Sequence, residues 1–239
     1  MKSLFTTLCT IISFATFAQS WSKIEGNGNV KKEAREVGNF TAVASGGSWD
    51  VVISYSTGKT VVVEADENLI PYIKTAVEDG KLIIRTVKNV DLKSSHKMKI
   101  YVSLTKVTSL SMAGSGNMTG VGNFTNDAKT SFSLAGSGNI NLDFKSIEKV
   151  AISIAGSGNV NLKGTSNEVA VSIAGSGNAN CEGLVADDVK VSIAGSGSSK
   201  IVSNKSLKVS IMGSGDVYYT GSVTDVTKHV AGSGKVVKR

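Results

Sequence analysis

The tripeptide Gly-Ser-Gly occurs seven times between residues 114 and 234 of this 239-residue chain, beginning at Gly114, Gly136, Gly156, Gly175, Gly195, Gly213 and Gly232. Successive copies lie 22, 20, 19, 20, 18 and 19 residues apart. That is too regular for a flexible linker and too short for helical-pair or propeller units, which need roughly 33 to 50 residues. Each copy follows a short apolar alternation. Val150-Ala-Ile-Ser-Ile154, Val169-Ala-Val-Ser-Ile173, Val189-Lys-Val-Ser-Ile193 and Leu207-Lys-Val-Ser-Ile211 have one apolar face and one small or charged face, the period of a half-buried strand. A second short strand such as Asn159-Val-Asn-Leu162 follows the tripeptide. Strand, corner, strand and turn make one coil, and coils stacked about 4.8 Å apart share a continuous apolar column. Residues 109–239 therefore read as a β-solenoid of about seven coils.

A tight corner explains the glycines without any ligand. The backbone there must adopt positive φ or pass close to the coils on either side, and only glycine does this without a Cβ clash. The residue after each tripeptide then stacks into a ladder of Asn117, Asn139, Asn159 and Asn178, followed by Ser198, Asp216 and Lys235. Stacked amides hydrogen-bond from coil to coil, which is a structural role. A row of amides is also a surface matched to a repetitive polymer such as a glycan, which makes Asn117, Asn139, Asn159, Asn178 and Asp216 the candidate binding residues. Cys181 takes the slot of Leu142 and Leu162, so it is expected as a small buried hydrophobe. His229 takes the outward slot of Ser153, Ser172, Ser192 and Ser210. Lys235, Lys238 and Arg239 place charge at the end of the stack, which discourages strand pairing there.

Residues 19–108 lack the tripeptide and read as an N-terminal β-rich module. Phe40–Val43, Trp49–Tyr55, Thr60–Glu64, Lys81–Thr86 and Met98–Leu104 are strands by their β-branched and aromatic content. Leu69, Ile70, Ile73 and Val77 fall at helix-like spacing. With Pro71 confined to a first turn, they predict one short helix over Glu67–Lys74. Whether this module continues the solenoid or caps it is left open by the pattern.

Residues 1–18 combine Lys2, an apolar run from Leu4 to Phe17 and an Ala18-Gln19 junction, which reads as a secretory signal cleaved after Ala18. The run is too short to span a bilayer, where roughly 20 apolar residues are needed. The expectation is an exported chain in the periplasm, on the outer surface or secreted, without a membrane span. Cys9 does not sit in a lipidation context. Once the leader is removed, Cys181 is the only cysteine and no intramolecular disulfide forms. Without Lys2 there are 25 basic and 19 acidic residues, a net charge of +6. No run of five like charges occurs, and aromatics are not interleaved with basic residues, so nucleic acid is not an expected partner.

Other chemistries fail on particular residues. Gly58-Lys-Thr60 suggests a phosphate loop, but Ile53 stands where its first glycine is required. The Asn-rich corner positions make weak calcium sites, zinc lacks a His and Cys ligand set, and a dinucleotide fingerprint needs a helix where strands follow. No cofactor or metal is expected. Glu148, Glu168 and Asp187 or Asp188 fall near the same turn of successive coils, which leaves a carboxylate cluster of glycosidase type as an alternative.

Arg35-Glu-Val-Gly-Asn-Phe40 leading to Trp49-Asp-Val-Val-Ile53, Glu64-Ala-Asp-Glu-Asn-Leu69 leading to Asp79-Gly-Lys-Leu-Ile-Ile84, and the Gly-Ser-Gly-Asn coils together resemble a bacterial exported family. It is the putative auto-transporter adhesin, head GIN domain family, common in Bacteroidetes. The resemblance covers nearly the whole mature chain. It implies an all-β, right-handed parallel β-helix-like fold, similar in shape to pectin lyases but without their catalytic residues, and an adhesion role. No catalytic residue carries over. The expected function is non-enzymatic binding of a glycan or cell-surface partner through the polar ladders. The alternatives are a polysaccharide-active enzyme on the same scaffold and an envelope protein that associates with itself.

Overall fold

The computed structural model describes residues 22–58 and 60–239, so the predicted leader at residues 1–18 lies outside the described residues. The chain enters with β1 (Ser22–Glu25) and β2 (Val30–Arg35), then forms β3 (Ala42–Gly46), β4 (Asp50–Tyr55) and β5 (Val61–Asp66). A hairpin of β6 (Ile73–Glu78) and β7 (Lys81–Thr86) precedes β8 (Val90–Lys93) and β9 (Lys99–Leu104). The repeats supply β10 (Ser109–Gly114), β11 (Asn117–Val121), β12 (Thr125–Gly136), β13 (Asn139–Gly156), β14 (Asn159–Gly175), β15 (Asn178–Gly195) and β16 (Ser199–Gly213). Strands β17 (Val217–Thr220), β18 (Asp225–Gly232) and β19 (Val236–Lys238) complete the chain. The fold is all-β, as the pattern of apolar alternation predicts.

The short helix expected over Glu67–Lys74 is reduced to a single 3-10 turn, Ile70–Tyr72, with Pro71 in its first positions. The residues after it take strand β6 instead. Ile73, Thr75 and Val77 form a β-branched period-two row there, and pairing with β7 outweighs the helix-like spacing of Leu69, Ile70, Ile73 and Val77.

The stack of coils begins before the first Gly-Ser-Gly. Strand β10 pairs in parallel with β12 on one side and with β3 on the other, while β11 pairs with β13 and with β4. The β3–β4 segment therefore forms a coil of its own. Beneath it, β7 pairs with β3 and β9 with β4, both in parallel. The spatial order of coils thus departs from the chain order: the β3–β4 coil sits between the β7/β9 layer and β10/β11. Antiparallel pairings of β2 with β5, β5 with β9 and β6 with β7 close this end in a mixed sheet. β1 and β8 form a small separate pair.

From β12 onward the coils repeat in register. Gly136, Gly156, Gly175, Gly195, Gly213 and Gly232 are successive Cα partners, so seven stacked corners from Gly114 bound about six full turns. The inward residues of each first strand, such as Val169, Val171 and Ile173 or Val189, Val191 and Ile193, are buried in one column. Each such side chain stabilises the fold by about 1.5–3 kcal/mol through removal from water. Because a coil touches only its neighbours, this stabilisation adds along the axis.

The corner meets both requirements placed on glycine. Gly175 has a φ of +122°. A Cβ there would lie 2.5 Å from the carbonyl oxygen of Gly156, and one on Gly177 would lie 2.4 Å from that of Gly158. The same Gly156 oxygen accepts the N–H groups of Ser176 and Gly177, each at 2.9 Å. The β3–β4 corner, Gly47-Ser48-Trp49-Asp50, aligns with Gly114-Ser115-Gly116-Asn117. Trp49 replaces the second glycine of the tripeptide; its ring is buried and its Nε1 donates to Ser45 Oγ at 2.8 Å.

At the other end nothing covers the last coil among the described residues. β18 pairs only with β16 and β19 only with β17. Lys228 there occupies the inward slot held by Val209 in the previous coil, and Val230 is 41% exposed. A charge in a core slot is a recognised device against pairing of an open end.

Candidate functional site

The corner places each post-glycine residue at the start of a strand, with its side chain beside that of the coil before. Asn139 Nδ2 donates to Asn117 Oδ1 at 2.8 Å, Asn159 to Asn139 at 2.9 Å and Asn178 to Asn159 at 2.9 Å. The backbone N–H of Ser198 then donates to Asn178 Oδ1 at 3.0 Å. Asp216 stands further along the same column and accepts from the Lys235 N–H at 2.9 Å and from the Tyr218 hydroxyl at 3.0 Å. That carboxylate holds the phenolic proton and raises the Tyr218 pKa. All five candidate residues therefore share one column, and the four asparagine amides are linked in series.

The ladder has an anchor that sequence reasoning missed. Asp50 Oδ1 accepts both the N–H and the Nδ2 of Asn117, at 3.1 and 2.9 Å, while Oδ2 lies 2.7 Å from Lys97 Nζ. Burial works to raise the Asp50 carboxyl, but the hydrogen bonds from Lys97 and Asn117 outweigh it and hold the group below its usual value. The signal was present as Gly47-Ser48-Trp49-Asp50, a corner disguised by its tryptophan.

A second amide column runs two residues further along each strand. Asn141, Asn161 and Asn180 are register partners on three successive coils, on the same face as Asn139, Asn159 and Asn178. Asn161 Nδ2 donates to Asn141 Oδ1 at 2.5 Å, and Asn180 has no hydrogen-bonding partner among the described side chains. This column retains more free donors and acceptors than the first. It lines a recess of about 260 Å3 with Asp143, Lys163 and Glu182. Lys163 pairs with Asp143 at 3.4 Å; Glu182 meets Lys200 at 3.6 Å and Arg239 at 3.5 Å. The repeated Asn-x-Asn at 139–141, 159–161 and 178–180 was legible in the sequence, but its second asparagine was not singled out.

The first strand of each coil presents the other long face. Its outward columns are small: Ser133, Ser153, Ser172 and Ser192 in one, Ala135, Ala155, Ala174 and Ala194 in the next. His229 follows Ser210 in the serine column, as its slot predicts. Of the carboxylates that sequence grouped at one turn, Glu168 and Asp188 become register partners. Each already has a partner: Glu168 takes Lys149 Nζ at 2.7 Å, and Asp188 accepts from Ser206 Oγ at 2.6 Å. Cys181 is buried, and burial pushes its thiol up to about 12, far from a nucleophile's range.

A family model described as putative auto-transporter adhesin, head GIN domain matches residues 39–223. Among solved structures, a putative adhesin from Bacteroides fragilis superposes with a TM-score of 0.82 at 24% identity, over 90% of this chain and 100% of that one. A protein from Parabacteroides distasonis described as a putative lipid binding protein has a TM-score of 0.74 at 26% identity, over 91% of this chain and 100% of that one. A putative adhesin from Parabacteroides merdae has a TM-score of 0.68 at 23% identity, over 91% and 99%. No curated protein of described function matches. Among the described residues no helix is long and apolar enough to cross a membrane.

Proposed function

We propose, from the premise that this chain belongs to the putative auto-transporter adhesin, head GIN domain family, that it is an exported, non-enzymatic adhesin whose amide face binds a hydroxyl-rich glycan on a cell surface. The observation that carries this reading is the pair of asparagine columns, 139/159/178 and 141/161/180, repeated on three successive coils of one face. Each ladder amide spends one N–H on the coil before and one carbonyl on the coil after, which leaves its second N–H without a partner among the described residues. The second column leaves still more. Rows of donors and acceptors spaced about 4.8 Å apart along the axis and about 7 Å apart along the strand match a ligand that also repeats. Direct hydrogen bonds from planar amides to hydroxyls give orientation and selectivity on a face that is otherwise polar.

The two columns separate binding from stability. Asn141→Ala, Asn161→Ala and Asn180→Ala combined remove one internal hydrogen bond, so this variant is expected to fold and to lose glycan binding. Asn139→Ala, Asn159→Ala and Asn178→Ala combined remove the ladder itself, each bond contributing about 0.5–1.5 kcal/mol. That variant is expected to lose both binding and several kcal/mol of stability. A folded second-column variant that binds immobilised glycan as well as the wild type would overturn the assignment of this face.

A further inference from the structure

We infer that the serine and alanine face carries a separate site for an acidic polysaccharide, built around stacked lysines. A recess of about 560 Å3 on this face is lined by Lys129, Lys149, Lys190 and Lys208 over a floor that includes Ala151 and Ala170. Lys129 is the register partner of Lys149, and Lys190 of Lys208. Two pairs of like charges thus stand on adjacent rungs about 4.8 Å apart, an arrangement that costs stability in a sheet. Lys149 is neutralised by Glu168, and the other acid lining the recess, Asp188, is engaged by Ser206. Lys129, Lys190 and Lys208 have no carboxylate within ion-pair distance among the described residues. Four ammonium groups against two carboxylates leave the recess net positive.

The surroundings select the kind of anion. The recess adjoins another of about 470 Å3 that shares Lys129, Ala151, Ala170 and Lys190 and adds the hydroxyls of Ser153 and Ser172. The lining carries no aromatic ring, and its aliphatic residues, such as Val150, Val169 and Ile152, are buried in the core and cannot enter a bilayer. Its two lysine pairs are about three rungs apart, roughly 14 Å along the axis. The pairs stand in neighbouring columns, so the lysine charges recur diagonally along the axis, past the engaged Glu168 and Asp188 and beside the hydroxyls of Ser153 and Ser172; this fits a linear polymer bearing carboxylates between hydroxyl-rich units. A single small anion would use only one pair. This site lies on a different face from the asparagine columns and does not depend on their role.

Alginate, a linear uronate polymer, serves as the acidic probe, with dextran as the neutral one. The wild type should be retained on immobilised alginate at low salt, and not on dextran through this face. Lys190→Gln with Lys208→Gln should weaken alginate binding about tenfold, as expected for two exposed charge pairs at about 0.7 kcal/mol each, without lowering the denaturation midpoint. Lys88→Gln with Lys145→Gln, two lysines outside the recess, should weaken it far less, and the Asn141, Asn161 and Asn180 variant should bind alginate as the wild type does. Equal losses from the two lysine pairs would reduce the effect to net charge and overturn the site. So would failure to bind alginate, or binding to phosphatidylglycerol vesicles in preference to it.

Discussion

Replacing Gly175 by alanine tests the physics of the corner. Its φ of +122° is a strained conformation for any residue with a Cβ, at about 1–3 kcal/mol. The new Cβ would also sit 2.5 Å from the Gly156 carbonyl oxygen, about 1 Å inside van der Waals contact, so the coil must lift. That oxygen accepts the N–H groups of Ser176 and Gly177, each at 2.9 Å, and weakening both forfeits about 1 kcal/mol apiece. The total is about 3–5 kcal/mol, a large share of the 5–15 kcal/mol that holds a typical domain together. Gly232 has nearly the same geometry, with a φ of +130° and a Cβ position 2.1 Å from the Gly213 oxygen. Its coil, however, is the last one and largely exposed. Peeling that coil away relieves the strain, so Gly232→Ala should cost only about 1 kcal/mol. Urea unfolding followed by far-ultraviolet circular dichroism measures both. Equal costs for the two variants, or a Gly175→Ala protein within about 0.5 kcal/mol of the wild type, would refute this account of the stack.

Three further outcomes follow from the same geometry. Asp66 is buried and accepts the Ser94 hydroxyl and, at 2.7 Å, the Gly28 N–H; the Ser94 bond leads in holding its pKa below the usual carboxylate value, against burial. A carboxyl lowered in the folded state stabilises above its unfolded pKa and loses that effect as pH falls through its folded one. Asp66→Asn should therefore cost about 2 kcal/mol at neutral pH and progressively less in acid, as read from urea midpoints across pH. Cys181, with its thiol raised to about 12, should resist iodoacetamide in the native state and react readily in denaturant; fast native labelling would contradict its place in the core. Lys228→Val completes the last apolar layer, which should raise stability by about 1 kcal/mol and cause concentration-dependent association in sedimentation velocity. A strictly monomeric variant would show that Lys228 does not guard the open end.

Much of the solenoid was legible because its constraint is local: a corner needs glycine wherever it occurs, and the strands beside it alternate with period two. Cys181 and His229 could be placed by slot for the same reason. The β3–β4 coil was hidden because Trp49 stands where the second corner glycine is expected, and because that coil stacks between strands later in the chain. The helix-like spacing from Leu69 to Val77 gave way to β6, where pairing with β7 decides the conformation. The amide ladder was visible as a list of positions, whereas its anchor at Asp50 required the hidden coil. The lysine recess depends on which residues are in register, and coils of 18 to 22 residues absorb their differences at irregularities such as that between Asp143 and Ser146. Periodicity alone does not say where those irregularities fall.

The most direct test of the adhesin reading is a glycan-array screen of the chain from Gln19 onward, at low and high salt. The asparagine columns predict binding to a restricted set of glycans that survives high salt, because neutral hydrogen bonds are screened little, and that disappears in the Asn141, Asn161 and Asn180 variant. Binding only to acidic glycans, abolished by salt and indifferent to those asparagines, would contradict the role given to the amide face and leave recognition to the lysine recess alone.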